Sequence, residues 1–192
     1  GRGRSALTAL LEVVSKGQEL NFVMPSNICP SIVASASTIN ARIIAVDVEK
    51  ETGLPSDSAF KKAIMSSKGP GVFMPTYLYG FDRSYKKAIS SARNRGWFVL
   101  ENDCCGTLPA CKDYKANSTR GDAVLVSFGG GKPIDAGGGG AVISNNAELI
   151  QDLHDELVSY QILDQSFVKM EEQLIGVRRL LQSKKINYPK MG

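Results

Sequence analysis

One primary amine stands almost alone in SFGGGKPIDAGGGGAV, Ser127 to Val142, where Lys132 lies among seven glycines with Pro133 beside it. Glycine is entropically costly to order, so this density marks backbone that turns tightly or closely approaches a ligand. A phosphate-binding P-loop is excluded. That pattern needs G-x-x-x-x-G-K-[ST], whereas Val126 holds the first glycine's place and Pro133 follows the lysine. An isolated amine with cleared surroundings suits condensation with an aldehyde instead.

Three further features could serve such an amine. In WFVLENDCCG, an apolar strand from Trp97 to Leu100 runs into Asp103, which is either a turn or cap aspartate or a carboxylate holding a proton on a ring nitrogen. In an extended segment Cys105 points to the same face as Asp103, so its small side chain could lie against that ring. Ser127, five residues before Lys132, ends the run Val124–Val126 and could bond a phosphate. At the start, Gly3 and Arg4 precede a helix whose first backbone N–H groups favour an anion. Residues 1–6 also match G-x-G-x-x-[GA], but no strand precedes them in this chain, so a dinucleotide does not follow. Together these are an amine, a ring-nitrogen acid and a phosphate anchor, the set that pyridoxal phosphate asks of a protein.

Short apolar runs alternating with amphipathic segments must position them. Helices are expected over Ser5–Ser15, Pro30–Ser37, Asp57–Ser66, Ser84–Arg95, Ala147–Tyr160 and Val168–Gln182. Buried strands are expected over Asn21–Pro25, Ala41–Val48, Gly71–Pro75, Trp97–Asn102, Ala123–Phe128 and Ala141–Ser144. Continuous apolar strands separated by helices predict an α/β architecture with a mostly parallel sheet. Ligands then bind beyond the C-terminal ends of the strands, which selects 25–29, 75–80, 103–106 and 127–132. Residues 1–160 form the expected cofactor domain and 161–192 a helical extension.

Composition sets the outer bounds. The chain has 192 residues, 43% hydrophobic and 22% charged, with net charge +4, which suits one globular domain and gives no argument for nucleic acid. No apolar run reaches the ~18 residues of a membrane span and no signal peptide is recognisable, so a reducing cytoplasm is expected. Cys29, Cys104, Cys105 and Cys111 fit neither paired-CxxC zinc spacing nor a disulfide framework, and no metal site is expected. A thiol function for Cys104–Cys105 is a minor alternative, because vicinal cysteines bridge each other only under strain.

The sequence resembles the DegT-like sugar aminotransferases, fold-type I pyridoxal phosphate enzymes. The likeness lies in Gly3 to Leu7, MPSNICPSIVAS (Met24 to Ser35), IIAVDVEKETG (Ile43 to Gly53), PTYLYG (Pro75 to Gly80), VLENDCCG (Val99 to Gly106) and GDAVLVSFGGGKPIDAGGGGAVIS (Gly121 to Ser144). It implies a three-layer sandwich like the large domain of aspartate aminotransferase. It also implies transfer of an amino group from an amino acid, with glutamate the expected donor, to a nucleotide-linked keto-sugar, as in polysaccharide biosynthesis. By position, Lys132 would carry the cofactor and shuttle protons, Asp103 would face the ring nitrogen, and Ser127 with the Gly3–Arg4 backbone would hold the phosphate.

The chain departs from the family pattern at three places. Gly106 stands where the family usually has Gln, and Gly138 where it often has Glu. No aromatic occupies Asn27 to Cys29, leaving Cys29 as the nearest ring neighbour. Lysine at 132, where related dehydratases have histidine, favours transamination over deoxygenation. The resemblance further implies a homodimer and a small C-terminal domain expected to be absent here. The alternative is a truncated or non-catalytic cofactor-domain paralogue acting as a binding protein.

Overall fold

The runs NFVMP, FVLEN and AVLVS offer water almost no polar face, and the computed structural model of the chain makes each an interior strand of one sheet. It describes residues 3–78, 84–105, 121–160 and 173. The elements are α1 (Gly3–Ser15), β1 (Asn21–Pro25), α2 (Pro30–Thr38), β2 (Arg42–Val46), α3 (Asp57–Ser66) and β3 (Gly71–Phe73). They continue with α4 (Lys86–Asn94), β4 (Phe98–Asn102), β5 (Ala123–Ser127), β6 (Gly140–Ile143) and α5 (Ala147–Ser159). Strand order is β2-β1-β3-β4-β5-β6, with β1 to β5 parallel and β6 antiparallel to β5. Chain contacts divide at Leu157, and the unit Gly1–Leu157 holds the sheet. Apart from Gln173, the expected segment 161–192 with its helix Val168–Gln182 lies outside the described residues, as does Gly106.

Alternation along the strands assigns the layers. Val23, Phe73 and Val99 join Phe60 and Ile64 of α3 and Ala88, Ile89 and Ala92 of α4 in one core. Their strand neighbours Phe22, Val72 and Leu100 are equally buried and, by the period of two, face the other way. There α1 covers β5 and β6, α2 covers β2, and the two helices pack together. Helices on both faces of a mostly parallel sheet give the α/β architecture expected from the pattern and the three-layer sandwich that the resemblance implied. Phe60 meets Phe73 and Tyr85 edge to face at 4.9 and 5.1 Å, pairs that each add about 1 kcal/mol beyond burial.

Local rules fix several ends. Ser56 caps α3 by accepting from the Ala59 N–H. Asp57 then reaches across to α4, accepting from the backbone N–H groups of Lys87 and Ala88 at 3.1 and 2.8 Å. This borrowed cap starts α4 at Lys86 rather than at the expected Ser84. β6 is an edge strand, not the fully buried one its apolar run suggested: Ile143 is 41% exposed.

Candidate functional site

The C-terminal ends of β4 and β5 lie side by side, with Asn102 paired to Leu125 and the Asp103 N–H donating to the Leu125 carbonyl at 3.0 Å. Asp103 is therefore held by backbone just past the strand, with only 8% of its surface exposed. Beyond β5, residues 128–139 form a loop closed at its neck: the Phe128 N–H donates to Gly139 O and the Ala136 N–H to Phe128 O, both at 3.1 Å. Inside it the Lys132 N–H donates to Gly129 O, and the Asp135 carboxylate accepts from the N–H groups of Gly131 and Gly137. Gly131 sits at φ 77°, so the turn before Lys132 requires glycine.

This loop places the half-buried Lys132 so that its Nζ lies 3.2 Å from Cys105 Sγ. The ammonium charge also helps lower the pKa of Cys29, after the larger effect of hydrogen bonding to Ser31, whose Oγ is 3.2 Å away. Cys29 stands at the N-cap of α2. Cys104 has its Sγ directed at the Leu125 carbonyl. Burial pushes this thiol up to about 12, partly offset by the Lys132 charge.

The contact between α1 and the end of β5 is built from glycine. Ser127 pairs with Gly140 across β5 and β6, and α1 begins against that pair. A Cβ at Gly140 would meet Gly3 Cα and come within 2.8 Å of Gly3 N and of the Val126 carbonyl. Only glycine lets the first turn of α1, with its unpaired N–H groups, come this close to Ser127. The Arg4 side chain is exposed, and its carbonyl accepts from Ser35 Oγ at 3.3 Å.

Of the expected site residues, the structure brings Lys132, Cys105, Asp103, Cys29, Ser127 and Gly3 to one end of the sheet.

A supporting layer was not singled out from sequence. Glu101, 1% exposed within β4, accepts from Tyr77 Oη at 2.8 Å and from the Gly121 N–H at 2.5 Å. Asn102 donates through Nδ2 to Thr76 and accepts from the Cys104 N–H. A carboxylate inside an otherwise apolar parallel strand was the available signal. Among the described residues no group of three or more His, Cys, Asp or Glu could hold a metal ion, and no helix is long and apolar enough to cross a membrane.

The donor set is an amine, a buried carboxylate, a strand-end hydroxyl and a helix N-terminus. Its chemistry fits a small anionic aldehyde with a basic ring, and the glycine contact brings the N-terminus of α1 against the Ser127–Gly140 pair.

The chain is similar in sequence and fold to known proteins. The family model of the DegT/DnrJ/EryC1/StrS aminotransferase family matches residues 1–179. A dTDP-3-amino-3,4,6-trideoxy-alpha-D-glucose transaminase from Micromonospora megalomicea subsp. nigra is 31% identical over 152 residues, covering 79% of this chain and 40% of the relative. A DegT DnrJ EryC1 StrS aminotransferase from Brucella abortus superposes with a TM-score of 0.65 at 22% identity, covering 81% of this chain and 43% of that one. The crystal structure of ntda from Bacillus subtilis with bound cofactor PMP gives 0.64 at 20% identity, covering 79% and 34%. The chain spans about 40% of the length of the curated relative it matches.

Proposed function

The chain belongs to the DegT/DnrJ/EryC1/StrS aminotransferase family, and from that membership we propose that it is the cofactor-binding part of a pyridoxal phosphate-dependent sugar aminotransferase. Its substrates are an amino-acid donor, glutamate in this reading, and a nucleotide-linked keto-sugar. A second copy of the chain is its partner.

The observation that carries the reading is convergence. Lys132 Nζ and Ser127 Oγ from one stretch, the Asp103 carboxylate from a second and the α1 N-terminus from a third meet at one end of the sheet. Pyridoxal phosphate, when bound, supplies an aldehyde that takes up amines and a ring that accepts electrons.

The chain's residues do the rest. Ser127 Oγ and the first N–H groups of α1 bind the phosphate, where the helix N-terminus favours negative charge. Asp103, held in place by the Leu125 carbonyl, keeps the ring nitrogen protonated. Lys132 would be the residue that holds the cofactor covalently and, when its amine is free, the group that moves a proton to and from the reacting carbon. The closed neck of the 128–139 loop keeps that amine within reach while it changes role. Glu101 ties Tyr77 and Gly121 to β4 immediately before Asp103, and so orients the strand end.

Borohydride reduction of cofactor-loaded protein, followed by peptide mass mapping, tests this. The pyridoxyl label is expected on Lys132. A label on another residue, or none in a loaded sample, overturns the assignment.

A further inference from the structure

Lys132 and Cys105 are close enough to react with each other. Sγ and Nζ lie 3.2 Å apart, Cys105 is exposed, and Lys132 is half-buried. The pair is held from both sides. Asp135 fastens the Lys132 loop from within, and Asn102 Oδ1 accepts from the N–H of Cys104, the residue before Cys105. The neighbouring thiols are differently engaged: Cys104 is turned to the Leu125 carbonyl and Cys29 is bonded to Ser31.

We propose that Cys105 and Lys132 form an oxidation-sensitive pair, in which a hydroperoxide oxidises the thiol and the lysine amine then closes a sulfur–nitrogen bond. In the first step the thiolate sulfur attacks the peroxide, taking one oxygen to give a sulfenic acid while the other oxygen leaves as water. In the second, Lys132 loses its proton to solvent, its nitrogen lone pair attacks the sulfur, and hydroxide leaves with a proton as a second water. Sulfur is oxidised, peroxide is reduced, and the product is a Cys105–Lys132 sulfenamide. An added thiol reverses it by attacking the sulfur and releasing the amine.

The bond depends only on the contact between the two side chains. Its consequence, that a cofactor aldehyde finds no free amine, rests on the proposed role of Lys132. The reversible state would protect Cys105 from irreversible oxidation while switching the site off.

The test is hydrogen peroxide titration of the purified chain, with and without added pyridoxal phosphate, then alkylation of remaining thiols and peptide mass mapping. A linked peptide pair joining Cys105 to Lys132 is expected, lighter by two hydrogens, about 2 Da, than the sum of its parts. It should vanish with dithiothreitol, be absent in Cys105→Ser and persist in Cys29→Ser. Recovery of Cys105 as sulfinic or sulfonic acid, or joined to Cys29, with the Lys132 peptide unmodified, overturns the proposal. Added pyridoxal phosphate is expected to suppress the link. A link that forms equally well with cofactor present upholds the pair and counts instead against Lys132 as the attachment point.

Discussion

The two ends of the sheet are built by different means. At the C-terminal end, backbone lies directly on backbone, with Gly3 against Gly140, and small polar groups surround one lysine. At the N-terminal end a cavity of ≈ 780 Å³ opens between α1, the starts of β3, β4 and β5, and α5, walled by Val13, Leu20, Trp97 and Leu149 with Arg93 and Asp122. Side chains lock that end to loops. Asn21 Nδ2 donates to the carbonyls of Lys68 and Pro70, Trp97 Nε1 donates to Gly69 O, and the Arg95 guanidinium lies 5.6 Å from the Trp97 ring centroid. The large hollow and the reactive groups are therefore at opposite ends. The groups decide the assignment, because a parallel sheet brings its ligands to the C-terminal strand ends. A hollow alone supplies no amine, acid or anion seat.

Substitutions should separate the two ends. Lys132→Ala has the largest expected effect: labelling by reduced cofactor disappears, and the amino-acid half-reaction followed by absorbance falls by about 10²–10⁴-fold, the usual worth of a positioned proton-transfer group. Trp97 fluorescence and the melting temperature should be unchanged, and a large shift in either would mean that the ends are not independent. Asp103→Asn should slow the same half-reaction on the order of a hundredfold, by removing the charge that holds the ring proton. Near-normal rates would reduce Asp103 to a turn residue.

Stability variants sharpen the contrast. Gly140→Ala forces α1 from the sheet and should cost about 1–3 kcal/mol by overpacking, with weakened cofactor retention. Asn21→Ala leaves the Lys68 carbonyl without its side-chain donor, while Pro70 O keeps the Asn21 backbone N–H, and should cost about 1–3 kcal/mol with retention intact. Chemical denaturation alongside equilibrium dialysis distinguishes them. The smallest effect is in thiol reactivity within the site end. Cys29, with its pKa lowered, should alkylate readily at mildly alkaline pH, where its thiolate is already forming. Cys104, raised to about 12, should remain a thiol throughout that range and react only after unfolding.

Much of this was legible where the cause is local. Asn21–Pro25 and Asp57–Ser66 appear with the expected limits, because an apolar run or a serine cap defines them. The glycine density around Lys132 likewise announced a tight loop. What was not legible depends on distant partners. Asp57 caps a helix that begins 29 residues later in the numbering, Glu101 bonds Tyr77 and Gly121 from loops on either side, and Cys105 meets Lys132 only because the loop curls back. The reversed direction of β6 has the same origin: its apolar run reads alike whichever way it pairs.

Gly3 and Gly140 stand far apart along the described chain, so the contact that sets α1 beside Ser127 also closes nearly the longest loop the fold contains. Closing such a loop carries one of the largest chain-entropy costs in the molecule, growing as about (3/2)RT ln n. A phosphate held between α1 and Ser127, as proposed, would act as a staple across the whole run from α1 to β5. By mass action it would add about 2.7 kcal/mol to global stability at a ligand concentration a hundred times its dissociation constant. Occupancy of one small seat is thereby tied to the folding of the entire domain.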